Sequence, residues 1–244
     1  MTGSFAPARY ATPLATELSR MLDADDAAGT DLLALLSRNR WLRQTLDQSI
    51  AGRDQLDLRS HTLAVMRQFE VSFTDFAPEP FRRSEFKLLL ALHDIGKPRA
   101  VREGAFGLQH EYTSVMIDRA ADVLQLGRPL AERIKLVAAS DPIGKVLNSK
   151  FLAEPEAAAS EIAAIADGLG VPTLAGWATI LVYFQCDVCG YPSLKQKVFA
   201  ADATGEPAWS EVPHRFVLRD EDERSRFELL ENCVVEIART ASAL

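Results

Sequence analysis

Apolar residues recur along this chain at the three- and four-residue spacing that lines one face of a helix, and alternation of period two is nearly absent. "TDLLALLSRNRWLRQTLDQSI" predicts one or two amphipathic helices before residue 51, and "SHTLAVMRQF" another, with Leu63, Met66 and Phe69 in register. "SEFKLLLALHD" follows, with Ser84 as a candidate cap and Gly96 and Pro98 as a stop signal. "YTSVMIDRAADVLQL" stops at Gly127, "PLAERIKLVAAS" is bounded by Pro129 and Pro142, and "EIAAIADGLG" closes on glycine. "TLAGWATILVYFQCDVC" reads as a long buried helix ended by Gly190 and Pro192. The last helix starts near Asp220, with Glu223 three residues on as in a capping box. Only "HRFVLRD" carries a weak strand pattern, and segments 98–109 and 190–219 read as irregular connections. Such a chain is expected to be all-α, a helical bundle forming one domain over 1–244.

Several of the apolar stripes break off at an ionisable residue. Phe86, Leu89 and Leu90 share a face whose next position is His93; Ile134, Val137 and Ala138 lead to Asp141; Leu174, Trp177, Ile180, Leu181 and Phe184 lead to Asp187. Burying a polar group without a partner costs about 2–7 kcal/mol, and a charge costs more. Three helices that end this way point to one polar centre shared at their ends. A divalent cation is the simplest group that satisfies several carboxylates and imidazoles at once. For Asp141, directly before Pro142, a capping or solvated carboxylate is an equal alternative. The adjacent His93–Asp94 pair is harder to explain without a common partner, because each residue would need its own.

"HDIGKP" after a leucine-rich helix resembles the signature of the HD superfamily of metal-dependent phosphohydrolases. The resemblance covers about residues 58–192, with helical extensions at 1–57 and 193–244. It implies an upstream histidine at His61 in "RSHTLAV", the doublet His93–Asp94, and a distal aspartate at Asp187, all as metal ligands. "LLALHDIGKP" followed by "QHEYTS" is also similar to the HD region of bacterial CCA-adding enzymes. No nucleotidyltransferase head is evident, so a stand-alone HD domain is expected. HD enzymes with two metals supply more histidines than this chain offers, which leaves His110 and Asp141 as candidates for a second ion.

The resemblance implies hydrolysis of a small phosphomonoester or phosphodiester, a nucleotide first among them, by attack of a metal-bound hydroxide. The ion would be Mn, Fe, Co, Ni, Zn or Mg, one or two per chain. Asp94, Lys97 and His110 are the expected catalytic residues, with Lys97 reaching the phosphate and His110 acting as a second-metal ligand or as acid for the leaving oxygen. Arg99, Arg102, Lys145 and Lys150 are candidate phosphate contacts, and Gln109 and Glu111 candidate orienters of the ligands around them. Two other functions share the signature: an HD-type diiron oxygenase, and a regulatory module that binds metal or nucleotide without chemistry.

The formal net charge of -7 disfavours a protein that coats long nucleic acid. No apolar run approaches the length of a membrane span, and the N-terminus lacks a signal-like apolar stretch, so a cytoplasmic protein is expected. Cys186, Cys189 and Cys233 form no disulfide framework, and the "CDVC" pair reads as packing residues. His214 reads as a surface residue. The terminal extensions are expected to shape the pocket or to form a contact with a second copy of the chain.

Overall fold

A computed structural model describes residues 11–50, 54–147 and 153–241. The chain is all-α: α1 (Pro13–Ala24), α2 (Gly29–Leu36), α3 (Arg40–Leu46), α4 (Leu58–Ser72), α5 (Arg83–Leu92), α6 (Lys97–Glu103), α7 (Gln109–Leu124), α8 (Arg128–Ala138), α9 (Pro142–Leu147), α10 (Pro155–Leu169), α11 (Thr173–Cys189), α12 (Pro192–Val198) and α13 (Glu221–Ala241). Among the described residues there is no strand. Segment 199–218 makes only isolated bridges, including Phe199 with Leu218 and Trp209 with Phe216. One continuous apolar core runs from Leu18 of α1 to Val234 of α13.

α5 lies at the centre. Every residue from Ser84 to Leu92 is buried, so its leucines serve all sides of the helix rather than one stripe. It packs against α1, α2, α4 and α8. Phe86 meets Phe69 of α4 with ring centroids 4.8 Å apart. Even the Lys87 ammonium is buried: it donates to the Ala27 carbonyl at 2.5 Å and pairs with Glu70 at 3.0 Å. The second long buried helix, α11, rests on α4, α10 and α13. These two helices and α4 hold, or lead directly into, the four ligand-type side chains described below.

Several helix boundaries differ from the sequence expectation. α5 begins at Arg83, and Ser84 is not its cap. The Ser84 N–H instead donates to Asp25 at 2.7 Å and its hydroxyl accepts from Ala27 N–H at 3.3 Å, because the end of α1 reaches across to it. Pro98 does not stop α5; it sits in the first turn of α6, where a missing N–H costs nothing. The stop is the turn from His93 to Gly96. α1, α6, α9 and α12 have no counterpart among the expected helices. α1 buries only Ala15, Leu18 and Leu22, and α6 and α12 are each seven residues long, too short to display a period. α13 does begin where the cap predicts, with Glu223 N–H donating to Asp220 at 2.9 Å.

Candidate metal centre

Three backbone segments bring four ligand-type side chains to one point. His61 comes from the first turns of α4, His93 and Asp94 from the turn that ends α5, and Asp187 from the last turn of α11. His61 Nε2 and His93 Nε2 are 3.2 Å apart, and Asp187 Oδ1 lies 3.0 and 3.1 Å from them. Asp94 Oδ2 is 3.4 Å from His61 Nε2 and 3.8 Å from His93 Nε2. One ligand atom from each of the four residues falls within 4.8 Å of all the others, the only such group among the described residues. His61, His93 and Asp94 are buried, while the Asp187 side chain is 30% exposed.

The donor set fits a divalent cation. Ligands about 2.1 Å from an ion stand roughly 3.0–3.4 Å from one another at right-angled to tetrahedral geometry; every spacing above falls in that range except the 3.8 Å between Asp94 and His93. Tautomers agree. His93 Nδ1 lies 2.7 Å from the Leu90 carbonyl, so it carries a proton and donates, which leaves Nε2 as the ring atom that faces the cluster. His61 Nδ1 is buried without a hydrogen-bond partner, so every polar contact of that ring is made by Nε2 inside the cluster. His61 is also held closely: a Cβ on Gly190 would fall 2.7 Å from its Nδ1 and Cε1.

Asp94 is fixed from three directions. Gln109 Nε2 donates to its Oδ1 at 2.9 Å, and Lys97 Nζ and Tyr191 Oη both donate to its Oδ2 at 2.9 Å. Burial raises a carboxyl's pKa, but here Lys97 and His93 outweigh it and hold Asp94 below the usual range. Burial would likewise raise Asp187, yet the contacts with His61 and His93 hold it well below. Burial lowers His93, and the two carboxylates overcome that and raise it. The same balance of burial against Asp94 raises Lys97.

The remaining candidates are placed differently. Lys97 is bound to Asp94 and Tyr191 rather than turned outward to a phosphate. Arg99 pairs with Glu103 at 2.9 Å and lies over the Tyr112 ring, and Arg102 bonds Gln48; neither contacts the cluster. Lys150 falls outside the described residues. Lys145 pairs with Glu161 at 3.0 Å and is close enough to influence His110 and Asp141. His110 and Asp141 stand beside the cluster without belonging to it. Asp141 is a helix cap, its Oδ1 accepting from Gly144 N–H at 2.9 Å, and a side chain at position 144 would collide with the carboxylate. Gln109 is an orienter as expected, whereas Glu111 is exposed. His214 is half-buried against Phe73 and Phe76 rather than a surface residue. Cys186 and Cys189 are buried free thiols, and burial pushes Cys189 up to about 12.

Two tyrosines complete the site and had no place in the sequence reading. Tyr191 stacks on His61, with centroids 3.9 Å apart, and Tyr183 meets His93 edge-on at 5.9 Å. Tyr183 lies one helical turn before Asp187 on α11, a spacing that could have drawn attention to it. Comparison with protein-family models, with curated proteins and with solved structures returned no match. No single helix among the described residues is long and apolar enough to cross a membrane.

The Asp141 cap makes stability depend on pH. Burial, with Asp187 adding repulsion, raises its carboxyl from 3.8 to about 7, while the Gly144 N–H, Lys145 and Lys97 oppose the rise. The folded state therefore binds the proton more tightly than the unfolded chain does, and stability falls as pH rises from about 4 to about 7. Asp141→Asn keeps the capping oxygen without the charge. In metal-free protein the variant is expected to match the wild type near pH 4. It should become more stable by on the order of 2–4 kcal/mol above pH 7, read from urea midpoints across that range.

Proposed function

We propose that this protein is a metal-dependent phosphohydrolase acting on a small phosphomonoester or phosphodiester, with nucleotides as the first substrate class to test. The observation that carries the reading is the convergence of His61, His93, Asp94 and Asp187 on one point. The resemblance of that series to HD phosphohydrolases supplies the reaction type. A divalent cation held by these residues would polarise a phosphoryl oxygen and lower the pKa of bound water toward about 7.

The protein's own residues set the charge and the protons around that point. Two carboxylates and the Lys97 ammonium sum to one negative charge when both histidines are neutral. The loaded site is then net positive by one, so it attracts a phosphate only when metal is present. Asp187, the exposed ligand, marks the open side on which substrate arrives. Burial lowers the His110 pKa, with Asp94 pulling the other way and Lys145 adding to the fall. His110 is therefore neutral at pH 7 and better suited to accept a proton than to donate one to a leaving oxygen. Lys145, paired with Glu161 and with its side chain 40% exposed, would offer a cation to the distal part of a substrate. One four-ligand cluster favours this chemistry over a diiron oxygenase, whose two ions need a larger set of ligands.

The deciding experiment is a phosphate-release panel. Nucleoside mono-, di- and triphosphates, cyclic nucleotides and p-nitrophenyl esters are incubated with protein purified without chelator, then supplemented in turn with Mn, Co, Ni, Zn or Mg. The expected result is about one bound ion per chain, release from at least one substrate, and loss of release on chelation. Silence across the whole panel with every metal would sink the proposal, and oxygen uptake by the iron-loaded protein would replace it with the oxygenase.

A further inference from the structure

We propose that Tyr191 is a positioning residue that locks the three ligand-bearing segments into one metal geometry. This rests on the metal-centre reading above. α11 ends at Cys189 with Gly190 as its cap, and Tyr191 takes up extended backbone (φ −112°, ψ 105°) before α12 begins. That turn sends the tyrosine ring back beneath α4, where it is buried at 9% exposure. Its face stacks on the His61 imidazole at 3.9 Å with only 27° between the planes, which fixes the ring plane of one ligand. Its hydroxyl lies 2.9 Å from Asp94 Oδ2, which fixes a second ligand. The third, Asp187, is four residues upstream on the same stretch of chain. One side chain thus joins ligands from α4, from the turn after α5 and from α11.

The hydrogen-bond directions admit one assignment. The Lys97 ammonium has only protons to give, and it lies 2.6 Å from the Tyr191 hydroxyl and 2.9 Å from Asp94 Oδ2. The phenol oxygen must therefore accept from Lys97, and its single proton goes to Asp94. Two donors occupy Oδ2 and Gln109 occupies one position on Oδ1. A carboxylate has about four acceptor positions, so three are taken by donors and the orientation of Asp94 beside the imidazoles is fixed. Partners that orient metal ligands in this way are typically worth about 10–100-fold in metal affinity.

Tyr191→Phe keeps the ring on His61 and removes only the hydroxyl; Tyr191→Leu removes the stacking as well. Co2+ is the probe, titrated into metal-free full-length protein and followed by its visible absorption. The phenylalanine variant is expected to bind Co2+ about 10–100-fold more weakly with an altered absorption band, and the leucine variant more weakly still. A purely structural tyrosine would lower the melting temperature of the metal-free variants while leaving Co2+ affinity and spectrum unchanged in the folded protein. That result, in either variant, overturns the inference and leaves the proposed function standing. If the wild type itself takes up no Co2+ or other divalent ion, the metal centre and the positioning role fall together.

Discussion

Asp187→Asn is expected to abolish metal-dependent phosphate release, by about 10³-fold or more, equivalent to about 4 kcal/mol of transition-state stabilisation. Asp187 Oδ1 is the atom that both imidazoles share, at 3.0 and 3.1 Å, and among the described residues none outside the cluster hydrogen-bonds to it. Asparagine preserves the shape and halves the anionic charge of the donor set, so the loss falls on cation affinity. The fold should tolerate the exchange because the side chain is 30% exposed and lies at the end of α11. A second readout separates binding from catalysis. At 100 times the dissociation constant a bound ion adds about 2.7 kcal/mol to stability. For a chain of this size that is roughly 5–10 °C in melting temperature. The wild type should show that rise with Mn or Co, and Asp187→Asn should show none of it. A variant that still releases phosphate at the wild-type rate would place the activity somewhere other than this cluster.

How much of this site could be read from the sequence depended on whether burial leaves a periodic trace. The His93–Asp94 doublet stood out because it follows a run of leucines that can only be core, and α5 is buried on every side. Asp187 stood out for the same reason at the end of α11. His61 needed the family resemblance to single it out, since Leu63, Met66 and Phe69 define its helix without pointing to it. The direction of a long flexible side chain leaves no such trace. Lys97 has an obvious role as a phosphate contact in sequence, yet its ammonium turns inward to Asp94 and Tyr191, where the buried carboxylate is the nearest strong acceptor. Asp141 shows the converse case. Its place at the end of an apolar stripe is equally consistent with ligand and cap, and the glycine at 144 decides for the cap by leaving room for the carboxylate to fold back. Tyr191 sits in a Gly-Tyr-Pro turn, where no stripe exists to be interrupted, so only the three-dimensional return of the chain reveals it.

The second large effect is expected from a single methyl group. Gly96→Ala should destabilise the protein by about 3 kcal/mol and disorder the candidate metal centre, although the backbone at 96 (φ −84°, ψ −18°) suits alanine well. The cost is wholly steric. A Cβ at 96 would lie 2.2 Å from the amide nitrogen of Thr113, 2.5 Å from the carbonyl carbon of Tyr112 and 2.7 Å from the Thr113 Cα. These are backbone atoms of α7, which cannot rotate aside as a side chain could, so the helix must shift. α7 carries Gln109, and the turn that ends at Gly96 carries His93 and Asp94 and leads into Lys97 of α6. Separating the two therefore pulls the Gln109 donor from Asp94 while unsettling the ligands themselves. Gly107→Ala is the matched control, because nothing lies within 4 Å of a Cβ there. Urea midpoints and Co2+ affinity should both fall for Gly96→Ala and stay at wild-type values for Gly107→Ala. Equal midpoints for the two variants would mean that α7 does not pack against the turn as closely as these distances require. The comparison isolates what this glycine does: it lets a helix backbone press against the turn that presents the doublet, so the leucine core beneath and α7 above hold His93 and Asp94 in one place.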